Sequence, residues 1–294
     1  MTEVAHPDLH HILDRWQLAR GLEAGGYYNA AKVLWALAYA DEVRLIDIAG
    51  VPRGEEALGR GLVAARRHLE AETGPQGVID YLSLAEKAVA DRRELLREES
   101  GDVAVCRACG HLMLGDIPQR CPGCGAWRLT FHDFRPTYFL EPTSPEEALA
   151  ALEATPRVLA GWLRGMSEEQ MTVSPMPGEW SMREGLHHFL VTEVLLSGRL
   201  RQFLESERPR LSGLAAWAEQ IQEGLPTEAV FHSFRQSREA TVERLRRLTL
   251  EQWLRQADHE EFGTVTLLQQ ASYFARHDHS HLAQLEAIRA AAFA

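Results

Sequence analysis

Near the end of the chain, "RHDHSHLAQLEAIR" at residues 276–289 places histidines at alternate positions, His277, His279 and His281. Imidazole is a common ligand for transition metals. A strand would put all three on one face, whereas a helix turns by about 100° per residue and divides them. On a helix His277 and His281 lie about 40° apart, and His279 lies about 160° from His281. Phe274, Leu285 and Ile288 fall within about 40° of His281, so His277 and His281 should face the core and His279 water. Two inward histidines one turn apart are half of a metal site. A neighbouring helix should supply the third ligand, and "SMREGLHHFLVTEVLLSGRLRQFLE" at 181–205 offers His187 and His188. The apolar stripe of that segment passes through Phe189, Thr192, Leu196, Arg199 and Phe203; His188 lies on it and His187 does not. Glu184 and His187 have metal-binding E-x-x-H spacing, but Glu184 is better explained as the reciprocal member of a capping box opened by Ser181. The alternative for all three inward histidines is a set of hydrogen bonds within a core.

A second group of potential ligands lies in "VCRACGHLMLGDIPQRCPGCGAWRLTF", residues 105–131, which holds the chain's four cysteines. Cys106 and Cys109 form one C-x-x-C pair, Cys121 and Cys124 the other. Gly110 and Gly125 follow the pairs where the backbone needs positive φ and N–H groups can point at sulfur. Four thiolates so arranged make a closed tetrahedral cage for zinc or iron. The alternatives are unliganded buried cysteines or a redox pair.

These groups need elements to hold them. The chain has 294 residues, enough for two or three domains, with 45% hydrophobic and 25% charged residues. A net charge of -11 disfavours a constitutive nucleic-acid or anionic-membrane binder. No apolar run reaches the length of a membrane span, and the opening "MTEVAHPDLHHILDRW" lacks the pattern of a signal peptide, so a cytoplasmic protein is expected. Residues 1–100 carry helical periodicity in four stretches, including "NAAKVLWALAYADEVRLI". From Ser144 onward, Ser144 with Glu147, Ser167 with Gln170, Ser181 with Glu184, Thr249 with Gln252 and Thr266 with Gln269 repeat a capping-box signature. They frame long helices near 145–165, 182–206, 227–247 and 266–293, a four-helix bundle. "RQSREATVERLRRL" at 235–248 reads as a solvated helical face carrying ion pairs. Phosphate-binding glycine loops and the G-x-S-x-G nucleophile elbow are absent.

The cysteine segment, with Pro118, Pro122, Trp127 and Phe131 in frame, resembles the rubredoxin-like tail of rubrerythrins; His111 departs from it where an aromatic is usual. Four helices ahead of such a tail resemble the rubrerythrin bundle, whose di-iron site uses glutamates and Glu-x-x-His motifs. The matching positions hold Asp41 with Arg44 and Glu86 with Val89, and Asp8 falls near the expected first-helix glutamate. The resemblance therefore implies a degenerate ferritin-like bundle without its di-iron ligands; Arg44 would repel a cation there and could pair with Asp41 instead. In the C-terminal part, Trp180-Ser181, His188 followed by Glu193, "GTVTLL" at 263–268 and His277-Asp278-His279-Ser280-His281 resemble the DinB family of bacterial bundles. That resemblance implies a metal site of His188, His277 and His281, with His259 outside it.

The expected protein is mainly α, in three parts. Residues 1–100 form a degenerate ferritin-like helical bundle, 101–138 a small rubredoxin-like metal ribbon, and 143–294 a DinB-like four-helix bundle. Three imidazoles leave an open position on zinc, nickel or iron, which lowers the pKa of bound water or thiol. Some DinB relatives resemble metal-dependent transferases using mycothiol, bacillithiol or glutathione. A thiol S-transferase or hydrolase active in detoxification or stress response is the first expectation, with a small thiol and an electrophile as partners and a homodimer as the assembly. A rubrerythrin-related electron-transfer protein and a non-enzymatic metal-binding scaffold are the alternatives. Arg199, on the His188 face, could bind an anionic substrate group or pair with Glu193 or another bundle carboxylate.

Overall fold

The computed structural model describes residues 9–134, 142–175, 179–213 and 225–292, Arg53 excepted. The chain divides into two compact units, Met1–Arg93 and Glu94–Ala294. None of the described helices is long and apolar enough to cross a membrane.

The first unit contains α1 (Leu9–Ala24), α2 (Tyr28–Ala49), α3 (Glu55–Ala71) and α4 (Gln76–Ala90). α1 packs on α2 and α3 on α4. Ala19, Ala31 and Ala38 are fully buried. Asp41 accepts from Arg44 at 2.7 Å, as expected, and also pairs with Arg15. Glu86 accepts from Arg66 at 2.5 and 3.3 Å. Both carboxylates are thus committed to guanidinium groups. Asp8 lies outside the described residues.

The second unit opens with a short helix, α5 (Arg97–Ser100), and a three-stranded antiparallel ribbon of β1 (Val103–Cys106), β2 (Leu112–Leu114) and β3 (Phe131–Phe134) in the order β2-β1-β3. The bundle follows: α6 (Pro145–Leu163), the short α7 (Glu168–Thr172), α8 (Met182–Glu205), β4 (Arg210–Leu211), α9 (Thr227–Arg246), the short α10 (Leu250–Trp253), β5 (Gln256–His259), β6 (Gly263–Thr266) and α11 (Leu267–Ala292). Every expected capping box is formed. Ser144, Ser167, Ser181 and Thr249 each accept from the third backbone N–H beyond them, and Thr266 exchanges bonds with Gln269 at 2.8 and 3.1 Å. α6 and α8 each pack against both α9 and α11, so the four long helices close a ring.

Two apolar clusters fill this ring. One gathers Leu152, Leu195, Leu196, Val242 and Phe274; the other gathers Leu159, Leu186, Phe189, Phe234, Leu285 and Ile288. Between them runs a buried polar layer of Thr155, Glu193, Arg238, Thr241 and Asp278. The solvated reading of 235–248 is corrected at Arg238, which is fully buried although Arg235, Arg246 and Arg247 are exposed. Its carboxylate partners on two other helices hold it inside. Sequence patterning does not reveal the β-hairpin after α10. β5 pairs antiparallel with β6 from Gln256↔Thr266 to His259↔Gly263 and parallel with β4. Gly263, at φ 73°, makes the turn into β6.

Candidate metal centres

In the ribbon the two C-x-x-C knuckles are built alike. Gly110 N–H donates to Cys106 O and Gly125 N–H to Cys121 O, each at 2.8 Å, and the glycines have φ 77° and 75°. Sγ of Cys106 lies 3.7 Å from that of Cys124, and Sγ of Cys109 lies 3.6 Å from that of Cys121. A disulfide would need about 2.05 Å. The edge of a tetrahedron with metal–sulfur bonds of about 2.3 Å is about 3.75 Å. The donor set therefore fits one tetrahedral ion. Cys106 and Cys121 are buried while Cys109 and Cys124 are exposed, so the knuckle tips reach solvent. Burial opposes ionisation of Cys106, but N–H groups of Cys109 and Ala108 and the neighbouring thiols bring it down to about 7.

The bundle assembles the histidines. Nε2 of His188 lies 3.0 Å from Nε2 of His277, which lies 3.1 Å from Nε2 of His281. Two helices contribute, and their approach is set by Gly185, where a Cβ would collide with Leu285 Cδ2. Nδ1 of His281 faces Gln284 Oε1 at 3.2 Å. A carboxamide oxygen only accepts, so the proton sits on Nδ1 and the Nε2 lone pair is free for an ion. Nε2 of His277 carries either a proton or a lone pair, so it cannot donate to one neighbour and accept from the other. Three nitrogens bound at about 2.0–2.1 Å to a tetrahedral ion would stand about 3.3–3.4 Å apart. The arrangement fits a shared cation better than a hydrogen-bonded chain. Burial, then the neighbouring imidazoles His281 and His277, push His188 down to about 4, and burial, His281 and Arg238 do the same to His277. Both imidazoles are therefore neutral at pH 7.

Trp180 covers the rings, its centroid 5.2 Å from His281 in a stacked arrangement and 4.8 Å from His188. Tyr273 stands 5.8 Å from His277. His279 is exposed, and His187 and His259 lie outside the triad. Glu184 bonds Ser181 N–H and Oγ at 2.7 Å each, the capping role expected of it. Among the described residues only the four-cysteine and three-histidine groups gather ligand atoms in this way.

Behind the triad, Arg238 donates to Glu193 and to Asp278 Oδ2, Thr155 Oγ1 donates to Asp278 at 2.9 Å, and Thr241 Oγ1 to Glu193 at 2.5 Å. Glu193 thus pairs with Arg238 and not with Arg199. Arg199 instead donates to Gln270 Oε1 at 2.7 Å and Ser212 O at 2.6 Å, and its Nη2 lies 2.7 Å from His259 Nε2. Sequence reasoning misses Arg238, although Phe234, Thr241, Val242 and Leu245 mark the inward stripe it shares.

A four-helix bundle presenting converging histidines is the class of protein that these features define. Residues 151–285 match the DinB superfamily, so a DinB-like domain occupies the C-terminal part of the chain. Among curated proteins, the chain is 25% identical over 142 residues to OB0413 of Oceanobacillus iheyensis, provisionally named a metal-dependent hydrolase, covering 48% of this chain and 82% of that one. It is 24% identical over 144 residues to OB0782 of the same organism, provisionally named likewise, covering 48% and 84%. Among solved structures it is similar to YfiT from Bacillus subtilis, described as a probable metal-dependent hydrolase with an unusual four-helix bundle topology. There the identity is 21%, the coverage 53% of this chain and 91% of that one, and the TM-score 0.44. It is also similar to TT2238, a four-helix bundle protein, at 21% identity, 49% and 99% coverage and a TM-score of 0.37.

Proposed function

We propose that His188, His277 and His281 hold one divalent transition metal ion, zinc, nickel or iron, and that the centre activates a small thiol for transfer to an electrophile. The observation that carries this reading is the convergence of three Nε2 atoms from two helices, with adjacent contacts of 3.0 and 3.1 Å. An ion held by three imidazoles keeps an open position and lowers the pKa of a thiol or water bound there. The chain's own residues do the rest. Gln284 fixes the His281 tautomer, the polar layer of Asp278, Arg238 and Glu193 braces the helices that carry the ligands, and Trp180 stacks on His281. All four cysteines lie in the ribbon, so the thiol in this reading comes from a bound small molecule. Hydrolysis is the second reading, favoured by the names of the two curated relatives. It differs only in using water in place of the thiol.

The ribbon is proposed to hold zinc or iron in a closed cage. Zinc there would be colourless and structural, whereas iron would be coloured and redox-active.

Elemental analysis of the whole protein beside His281→Ala should show the loss of one ion per chain. Conjugation of glutathione, bacillithiol or mycothiol to a panel of electrophiles should fall by about a hundredfold or more in the same variant. Ester and amide hydrolysis assays separate the second reading from the first. A protein that binds metal at the histidines yet performs neither reaction would be a scaffold, and the enzymatic reading would be wrong.

A further inference from the structure

Among the described residues, Arg199 is a cation in the bundle core without a carboxylate partner. It is 3% exposed; its Nη atoms donate to a carboxamide oxygen and a backbone carbonyl, and Nη2 faces the Nε2 of an imidazole whose Nδ1 already accepts from Glu261 N–H. That imidazole, His259, is held neutral at pH 7, since burial and then Arg199 push it down to about 3. Burial brings the guanidinium itself down to about 10, against Tyr273, Glu261 and Glu260, so it stays charged at pH 7. Glu260 is engaged by the Gly213 N–H. Glu261 and Glu260 act on the guanidinium through space, but no carboxylate among the described residues bonds it, and a buried charge left without such a contact is costly.

Two donors in this cluster are also unused. Arg199 Nε and Gln270 Nε2 are both buried, and neither has a hydrogen-bond partner among the described residues. Gln270 is fully buried, and its Oε1 is already taken by Arg199. A clamp tying α8 to Ser212 and His259 needs only the Nη atoms of Arg199, so a structural role leaves these donors unexplained.

The cluster lies in register with the histidine centre. His188 meets His277 and Arg199 meets Gln270, so α8 and α11 run antiparallel along this face. From His277 back to Gln270 is about 10 Å of helical rise, and from His188 to Arg199 about 16 Å. Side chains on a helix lean toward its N-terminus, which carries the Arg199 guanidinium back toward His188. Tyr273 lies between, one turn from each of Gln270 and His277.

We propose that Arg199 and Gln270 form the seat for a carboxylate on a ligand whose other end reaches the three histidines. A carboxylate has two acceptor oxygens for the two spare donors and one charge for one guanidinium. A phosphate dianion would bring a second negative charge beside Glu260 and Glu261. The seat deepens the proposed function by naming the substrate class: thiols or hydrolysable compounds that carry a carboxylate about 10 Å from the reacting atom. It rests on the histidine reading for that length alone.

The test uses calorimetric titration of the whole protein with mercaptohexanoate, mercaptooctanoate and mercaptoundecanoate, each beside the matching mercaptoalcohol. A parallel series uses octanoate and octanol on chelator-treated protein. Wild type should prefer the acid at least about tenfold at the best length, and the chelator-treated protein should keep a preference for octanoate. Arg199→Met should bring both ratios near one. Gln270→Leu should reduce them partway and serves where Arg199→Met fails to fold. Loss of the length dependence with retention of the octanoate preference would mean that the histidine reading failed and the seat stands. Equal binding of acids and alcohols by wild type, or a preference unchanged in a folded Arg199→Met protein, would overturn the seat.

Discussion

Arg238 makes the hydrogen bond that Pro156 cannot. Proline in the interior of α6 has no N–H for the carbonyl of Leu152 one turn earlier, and Arg238 Nη1 reaches that carbonyl at 3.3 Å. The gap in the helix ladder becomes a docking point for a guanidinium from α9. The same side chain then binds Glu193 on α8 and Asp278 on α11, so one residue ties all four long helices at the level of the histidines. Burial raises the Glu193 carboxyl even though Arg238 opposes it, and against burial Asp278 and Glu193 hold the Arg238 guanidinium above its usual range.

Removing that cation should be expensive. Arg238→Met leaves two carboxylates in the core without a counter-charge, and breaking a buried pair in this way costs about 3–5 kcal/mol. Replacing Glu193 and Asp278 by neutral residues of similar size in the same protein should restore much of the loss. Urea unfolding of the single and triple variants reads both effects. A single variant as stable as wild type would show that the polar layer does not brace the bundle.

Gly185 sets the approach of α8 to α11. A Cβ there would collide with Leu285 Cδ2 and stand 3.1 Å from its Cγ and Cδ1, one turn from both His188 and His281. Gly185→Ala gains helix propensity of up to about 1 kcal/mol but overpacks the contact by about 1–3 kcal/mol. The change should destabilise wild type and become neutral or favourable in a Leu285→Ala background. Additive energies in that double-mutant cycle would mean that the glycine is not there for the close approach.

The sequence makes some of these features visible and hides others, for identifiable reasons. Capping boxes and the i, i+4 spacing of His277 and His281 are local signals, and the helix starts and inward faces follow from them. His188 is legible because Phe189 and Thr192 share its stripe. Arg238 carries the same stripe signal through Phe234 and Val242, but neighbouring charges at Arg235 and Glu239 make the segment read as solvated. Arg199's true partners, Ser212, His259 and Gln270, come from elements that meet only in the folded bundle. The β5–β6 hairpin has four-residue strands, too short for alternation to stand out.

The ribbon and the bundle should lose their ions independently. The four sulfurs and three imidazole nitrogens form separate groups with no shared ligand. Cys106→Ser removes one buried thiolate and should release one ion per chain, abolish any thiolate charge-transfer absorption, and leave the ion held by the histidines in place. Elemental analysis with absorption spectra of the cobalt-substituted protein reads both. Loss of both ions in Cys106→Ser would refute independence.

Acid should weaken the metal-free protein as its buried histidines are forced to take up protons. His259 is pushed down to about 3 by burial and then by Arg199, while burial and neighbouring imidazoles bring His188 to about 4, and burial, His281 and Arg238 bring His277 to about 4. In the unfolded chain each titrates near about 6.5. As pH falls, the unfolded state therefore takes up protons first. The stability these groups confer is complete above about pH 6.5 and is lost as pH moves down toward about 4, and toward about 3 for His259. The urea midpoint of chelator-treated protein should fall between about pH 7 and pH 5, and His259→Gln should flatten part of the slope. Metal-loaded protein should fall more steeply, because protons compete with the ion for the same nitrogens. A midpoint constant across that range in the chelator-treated protein would mean that these imidazoles are already open to protonation in the folded state.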